Sequence, residues 1–349
     1  MAVLSSKRID GPDEMGALFT YMVDLGITDG LPVIPPTEQN VQAMIDHVGL
    51  SPDAEVAVIP PGRGVATVEK LAINAVMAGC LPEYFPVVIA AIEALGDPRF
   101  GLLGIQTTTN PVSPVLVING PIRHRIGVNC GRGCMGPGFR ANATIGRAVK
   151  LALLNIGDCR PGDISKSIHG MPGRFTFCFG ELEEDSPWDP FHVDMGFRRE
   201  QSTVSVFGGQ GTTNMMVGFT RPEEILCTVA DGMRYYSCTA YLRGTGLPMI
   251  VMGPGHAKIF GEAGWDKKRI KQELFKLTAI PLSSIPQGRQ ITAPVYENWE
   301  RSRSINLCRD AADIVILVAG GPEPYHLVYI PGWAHPKSVV TQAVIIPQH

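Results

Sequence analysis

Val115-Leu116-Val117-Ile118 is an unbroken apolar run, closed at once by Asn119-Gly120-Pro121. A short apolar run between turn formers fits a buried strand. The residues that follow constrain the chain further. Cys130-Gly131-Arg132-Gly133-Cys134-Met135-Gly136-Pro137-Gly138 is a glycine-rich loop carrying two thiols, and it runs into Arg140-Ala141-Asn142-Ala143-Thr144. Ile145, Ala148, Val149, Ala152 and Leu153 then recur at three- and four-residue spacing, which predicts a helix. A strand, a glycine-rich turn and a helix N-terminus together can hold an anion, because free N–H groups and the helix dipole favour negative charge there. The competing reading is that these glycines serve tight turns alone, since the loop is neither a Walker nor a full Rossmann fingerprint.

The same alternation recurs along the chain. Val56–Ile59 reads as a strand followed by Pro60-Pro61-Gly62-Arg63-Gly64, and a helix follows over Val68–Met77. Thr37 is placed to cap a helix through His47, and Asp266 one to about Leu277. Leu102–Ile105 reads as a short strand ending in Gln106-Thr107-Thr108-Thr109-Asn110, and Arg174–Phe179 as another. In the second half Thr203–Phe207 runs into Gly208-Gly209-Gln210-Gly211-Thr212-Thr213-Asn214. Met249–Met252 ends in Gly253-Pro254-Gly255, and Asp313–Val318 in Gly320-Gly321-Pro322.

Set side by side, Val56–Ile59 matches Val204–Phe207, Val115–Ile118 matches Met249–Met252, and Phe175–Phe179 matches Ile314–Val318. Pro190-Phe191-His192-Val193 likewise matches Pro324-Tyr325-His326-Leu327. The expectation is an α/β fold with two pseudo-equivalent α/β halves from internal duplication, mostly parallel sheets and a cleft between them. The divisions are residues 1–50 as an N-terminal helical and loop extension, 51–200 as the first repeat and 201–349 as the second. Ligands sit beyond the carboxyl ends of parallel strands, so the turn residues of both halves are expected to meet in one polar pocket.

A chain of 349 residues can bury roughly three quarters of its unfolded surface. The net charge of −3 gives no argument for nucleic acid or an anionic membrane. The longest apolar segment, Pro86–Leu95, is too short to span a bilayer, and the N-terminus lacks a signal-peptide core, so the cytoplasm is the default. Eight scattered cysteines do not make a secreted disulfide framework. The absence of G-x-S-x-G, Walker A, H-E-x-x-H and the dinucleotide fingerprint argues against serine hydrolases, kinases, zincins and simple dehydrogenases.

Within this frame Cys130 and Cys134, beside Arg132, Arg140 and a helix start, are candidate reactive thiols, because positive surroundings lower a thiol pKa. The alternative is two ordinary loop cysteines. His192 and His326 are candidate acids or bases, and Glu181 follows a strand end where it can act as a base. Arg63, Gly64, Thr108, Asn119, Gly120, Arg140, Asn142, Gly209, Gly211, Thr212, Asn214, Gly253 and His256 form the expected substrate cradle. Cys80 and Cys178 could join Cys130 or Cys134 around an iron–sulfur cluster or another metal, although the linear spacing does not demand it. The function these residues suggest is an enzyme acting on a small polar or anionic organic molecule, by thiol-dependent redox chemistry or carbon–heteroatom cleavage. A metal-dependent lyase and a non-catalytic subunit are the alternatives, and a homo-oligomer is expected.

DGLPVIPPT (29–37), TVEKLAINAVMAGCLPEYFPVV (67–88), GPGFRANATIGRA (136–148) and FCFGELEEDSPWDPFHV (177–193) resemble segments of a bacterial family of about this length whose function is not stated. Its members are often encoded beside small proteins with a UGSC or CGSC thiol or selenol motif. The resemblance covers most of the chain and implies a small partner protein that supplies redox chemistry. It assigns no catalytic residue.

Overall fold

A computed structural model describes residues 4–235, 240–241, 246–284, 303–333 and 339–345. Near the N-terminus, β1 (Glu55–Ile59) and β2 (Gly64–Thr67) form a hairpin. One four-stranded sheet has the order β12 (Val340–Ala343), β5 (Thr203–Gly209), β3 (Ser113–Asn119), β4 (Cys178–Gly180). A second has the order β6 (Thr213–Met216), β11 (His326–Ile330), β7 (Met249–Met252), β10 (Val315–Val318). β8 (Ile280–Pro281) and β9 (Ser304–Ile305) make a small separate ladder.

The period of two explains why these strands read as continuous apolar runs. Val115 and Val117 of β3, Met249 and Val251 of β7, and Val315 and Leu317 of β10 share one buried cluster, where the two sheets pack face to face. Leu116 and Ile118 instead join the cluster under the helices Val68–Ala78, Phe85–Gly96 and Arg140–Asn155. Ile250, Met252, Ile316 and Val318 pack under Pro222–Met233, Pro254–Glu262 and Lys267–Leu277. The layers are therefore helix, sheet, sheet, helix, and β3, β5, β7 and β10 are buried along their whole length. No described helix is long and apolar enough to cross a membrane.

The expected caps form: the Thr37 side chain accepts from Asn40 N, and Asp266 from Arg269 N. Several other expectations need correction. Leu102–Thr107 is a helix, with Leu102, Ile105 and Gln106 buried at helical spacing. The strand expected over Arg174–Phe179 is confined to Cys178–Gly180, behind a 3-10 turn at Pro172–Arg174. The sheets are mixed rather than mostly parallel. Only β3–β4 and β7–β10 are parallel, and the other six described ladders are antiparallel. Between β4 and β5 the one α-helix is the single turn Phe191–Asp194, too short for a crossover, so β5 returns antiparallel to β3. β1 belongs to its own hairpin, so the expected match of Val56–Ile59 to Val204–Phe207 has no counterpart in the ladders. β5 and β11 are the strands in corresponding positions, each antiparallel to the inner strand of a parallel pair.

The outer strands are exchanged. β6 follows β5 in the chain but adds to β11 of the other sheet, and β12 follows β11 but adds to β5. At the crossing, Trp333 N donates to Gly208 O at 2.9 Å and Gln210 N to Pro331 O at 2.9 Å, with Gly209 and Gly332 bridged. A Cβ on Gly208 would meet the Trp333 carbonyl oxygen at 2.3 Å, and one on Gly332 would meet the Leu247 backbone at 2.2 Å. Glycine here lets two backbones touch. We expect Gly208→Ala to lower stability by about 1–3 kcal/mol, the cost of overpacking against atoms that cannot give way. Gly218→Ala, whose added Cβ meets nothing within 4 Å, should change it by less than about 0.5 kcal/mol. Urea denaturation of the two variants compares them, and equal effects would show that the crossing tolerates a side chain.

Candidate functional site

The parallel register of β3 and β4 sets Ile118 opposite Gly180, so Asn119 and Glu181 leave the sheet side by side. Gly120 turns the chain with φ 79°, and a Cβ there would meet Gln201 O at 2.2 Å. The glycine thereby brings its own N–H to Glu183 Oε1 at 2.7 Å. Asn119 Nδ2 donates to Glu181 Oε2 at 2.6 Å and to Glu183 Oε1 at 3.0 Å. Glu181 Oε2 also accepts from Phe191 N at 2.8 Å.

Arg123, 2% exposed, holds the group together. Its Nε donates to Gly120 O at 3.0 Å, Nη1 to the Glu181 carbonyl, and Nη2 to Glu184 Oε1 at 2.8 Å, while Nη2 lies 3.1 Å from Glu183 Oε2. His124 Nε2 lies 2.9 Å from the same Glu184 oxygen, so the network reaches the surface there. His192 is fully buried. Its Nε2 lies 3.3 Å from Arg199 O, and its Nδ1 lies 3.9 Å from Glu183 Oε1.

Four buried polar atoms in this neighbourhood have no hydrogen-bond partner: Asn119 Oδ1, Glu181 Oε1, His192 Nδ1 and Thr203 Oγ1. Thr203 stands opposite Asn119 across the β3–β5 ladder. Buried polar groups are normally satisfied, and each orphan costs about 1–3 kcal/mol. Their concentration at one strand end makes it the candidate site.

Burial pushes the Glu181 carboxyl up to about 7, against the opposing pull of Lys267, Phe191 N–H and Asn119. Glu184 is the opposite case: its hydrogen bonds to Arg123 and His124 outweigh burial and hold it down at about 2. Two neighbouring carboxyls are thus kept in different protonation states near neutral pH, the arrangement that general acid–base chemistry requires.

Asn119, Gly120, Glu181 and His192 are the expected site residues that the fold brings together. Cys130 borders them, with its Sγ 3.7 Å from Arg123 Nη1. The expected lowering of the thiol pKa values is reversed. Burial raises Cys130 despite Arg123, and pushes Cys134 up to about 12. Arg132 points instead to Glu323, at 2.6 Å. The expected anion cradle is taken up by structure: Asn142 spends its amide on Asn129 and on Cys134 O, and Arg140 donates to Gly79 O. Gly64 packs on Ile156 O and Gly253 on Gly321 O, where a Cβ would not fit.

The expected single pocket also needs correction. Register pairs Ser113 with Gly209 and Asn119 with Thr203, so Gly209, Gly211, Thr212 and Asn214 lie toward the far end of β3, roughly 20 Å along the strand from Asn119. His326 opens β11 opposite Met216, one residue before the Leu327–Met252 pair at the carboxyl end of β7, and is exposed with Nδ1 3.3 Å from Asn214 Nδ2, whereas His192 is fully buried, so the two histidines have unlike surroundings. Arg63 is exposed, Thr108 accepts from Asn110, and His256 is buried with Nε2 2.8 Å from Val217 O. The carboxyl ends of the two parallel pairs do meet. Leu182 N donates to Val318 O at 2.7 Å, and Gly320 N to Cys130 O at 2.9 Å.

No three or more His, Cys, Asp or Glu residues among those described could hold a metal ion together. Arg123, Glu183 and Thr203 are members of the site that the sequence reading missed. A Glu-x-Glu-Glu run directly after a strand was the visible signal for Glu183.

The raised Glu181 pKa has a testable consequence. The folded state holds this proton between pH 4.5 and about 7 while the unfolded chain has released it. Stability therefore falls as pH rises through that window, by on the order of 3 kcal/mol for this group. Glu181→Gln should remove that fall, gaining on the wild type as pH rises from 5 to 8 in chemical denaturation. Parallel pH profiles for the two proteins would show that Glu181 titrates normally. Comparison of the chain with protein-family models and with curated proteins finds no match in either.

Proposed function

We propose that this chain is an enzyme that cleaves a carbon–heteroatom bond in a small polar molecule bearing a hydroxyl or amino group. The observation that carries the reading is the cluster of unpartnered atoms on Asn119, Glu181, His192 and Thr203. A hydroxyl or amine both donates and accepts, and can satisfy such a set where an apolar group cannot. Glu181, with its pKa raised to about 7, is the general acid and gives its proton to the departing heteroatom. His192 Nδ1 takes the proton from the neighbouring carbon. The C–H and carbon–heteroatom bonds break, a carbon–carbon double bond forms, and the heteroatom leaves carrying the proton from Glu181. Asn119, pinned through its Nδ2, orients the substrate with Oδ1. Burial excludes bulk water and strengthens each of these interactions.

The two halves are read as copies of one unit. Each sheet has a parallel pair, an antiparallel third strand and a fourth strand that follows the third strand of the other sheet in the chain, in the same spatial order. On this reading the junction of the strand ends, where Leu182 meets Val318 and Cys130 meets Gly320, is the remnant of a shared cleft.

A second reading keeps the thiol. Cys130 Sγ lies against Arg123, whose charge opposes the effect of burial on the thiol. Cys130 would then act as nucleophile, or exchange with a small thiol or selenol partner protein.

Incubation in D2O with a panel of short hydroxy acids and amino acids, followed by proton NMR, tests both readings. The wild type should exchange or eliminate the carbon-bound proton of at least one member. Glu181→Gln should slow that reaction by roughly 10²–10⁴-fold, and iodoacetamide should leave it unchanged. A full rate in Glu181→Gln overturns the acid–base reading, and loss of activity on alkylation, with protection by substrate, favours the thiol.

A further inference from the structure

At the other end of β3 lies a cavity of about 250 Å³. Its polar walls include Lys150 on the Arg140–Asn155 helix, Arg174 just before β4, and Cys159. Val112, Leu153 and Phe175 give it an apolar side. The two cations have little to balance them. Arg174 Nη2 donates to the neutral Ser165 hydroxyl at 2.7 Å, and its buried Nη1 has no partner. Among the described residues, neither Lys150 nor Arg174 enters a salt bridge, and Lys150 makes no hydrogen bond. The carboxylate that does line the cavity, Asp29, is spent on Arg147, which it meets through both oxygens at 2.8 Å.

Two like charges in one small cavity, both partly desolvated and without a counter-charge, are costly to fold around. Burial depresses the proton affinity of both groups, and the Arg174 charge adds to it at Lys150, where the effect is strong. Such a cost is offset when an anion enters, because one carboxylate can accept from a guanidinium and an ammonium at once. The apolar side and the small volume set the rest of the ligand: a short hydrocarbon body with few polar atoms. Inorganic phosphate would leave Val112, Leu153 and Phe175 uncovered.

We propose that this cavity is a binding site for a short-chain carboxylate, held between Lys150 and Arg174. It is separate from the Asn119–Glu181 cluster, since Val112 and Pro114 mark one end of β3 and Asn119 the other.

Isothermal titration calorimetry of the full chain with butyrate, and separately with inorganic phosphate, tests this. The wild type should bind butyrate saturably at one site and at least tenfold more tightly than phosphate. Arg174→Gln and Lys150→Met should each weaken butyrate at least tenfold. Glu181→Gln should leave its affinity unchanged. Lys150→Met removes an unpaired cation, so its thermal midpoint should equal or exceed that of the wild type, which keeps the variant usable. In the wild type alone, butyrate should raise the thermal midpoint in proportion to the logarithm of its concentration once saturating. No saturable butyrate binding by the wild type, no rise in its thermal midpoint, tighter binding of phosphate, or unchanged affinity in both cavity variants would each overturn the proposal.

Discussion

Two chain segments cross at Gly208–Gln210 and Pro331–Trp333, close enough for carbonyls and amides to bond directly. That contact is the constraint on which the architecture depends. β6 follows β5 in the chain yet completes the sheet of β11, and β12 follows β11 yet completes the sheet of β5, so each sheet takes its outer strand from the segment that leaves the other. The exchange also accounts for the central layer. Sheets held together at a crossing can be apolar on both faces, since one face is covered by helices and the other by the partner sheet. It further sets the ends of β3 apart, with the crossing at one end and the carboxylate cluster at the other.

At the cluster, charge is distributed rather than cancelled. One buried guanidinium, Arg123, meets Glu183 and Glu184 and two backbone carbonyls, while Glu181 receives only neutral donors, Asn119 Nδ2 and Phe191 N–H. Removing a carboxylate from water without a full counter-charge favours its protonated form. That is why Glu181 and Glu184, three residues apart, fall on opposite sides of the usual carboxylate range. Gly120 contributes through geometry: only a residue without a side chain turns there and brings its N–H to Glu183.

Much of the layering was legible in the sequence. Val115–Ile118 announced a buried strand, Met249–Met252 and Asp313–Val318 announced further strands, and Thr37 and Asp266 announced helix starts. Strand direction was not legible, because an apolar run carries no sign of which neighbour it will meet. Leu102–Ile105 fits a strand or a helix turn equally well in isolation, and packing of Leu102, Ile105 and Gln106 decided for the helix. The glycines were visible but their purpose was not. Gly208 and Gly209 look like a ligand loop in one dimension and serve a chain crossing in three. Asn119, Glu181 and His192 were each noticed separately, since each follows a strand end or a proline turn. Arg123 and Thr203 were not, because an arginine after a turn and a threonine opening a strand are unremarkable until the fold sets them against a buried carboxylate and an asparagine. The thiols misled for an electrostatic reason: nearby arginines in sequence do not outweigh burial in space.

The central claim is that Glu181 is a buried carboxyl poised to give up or take a proton near neutral pH. A pH titration of its side-chain carboxyl by carbon-13 NMR, assigned with Glu181→Gln, reads this directly. A midpoint near 7 is the predicted result. A midpoint at or below the ordinary glutamate value of 4.5 would contradict it.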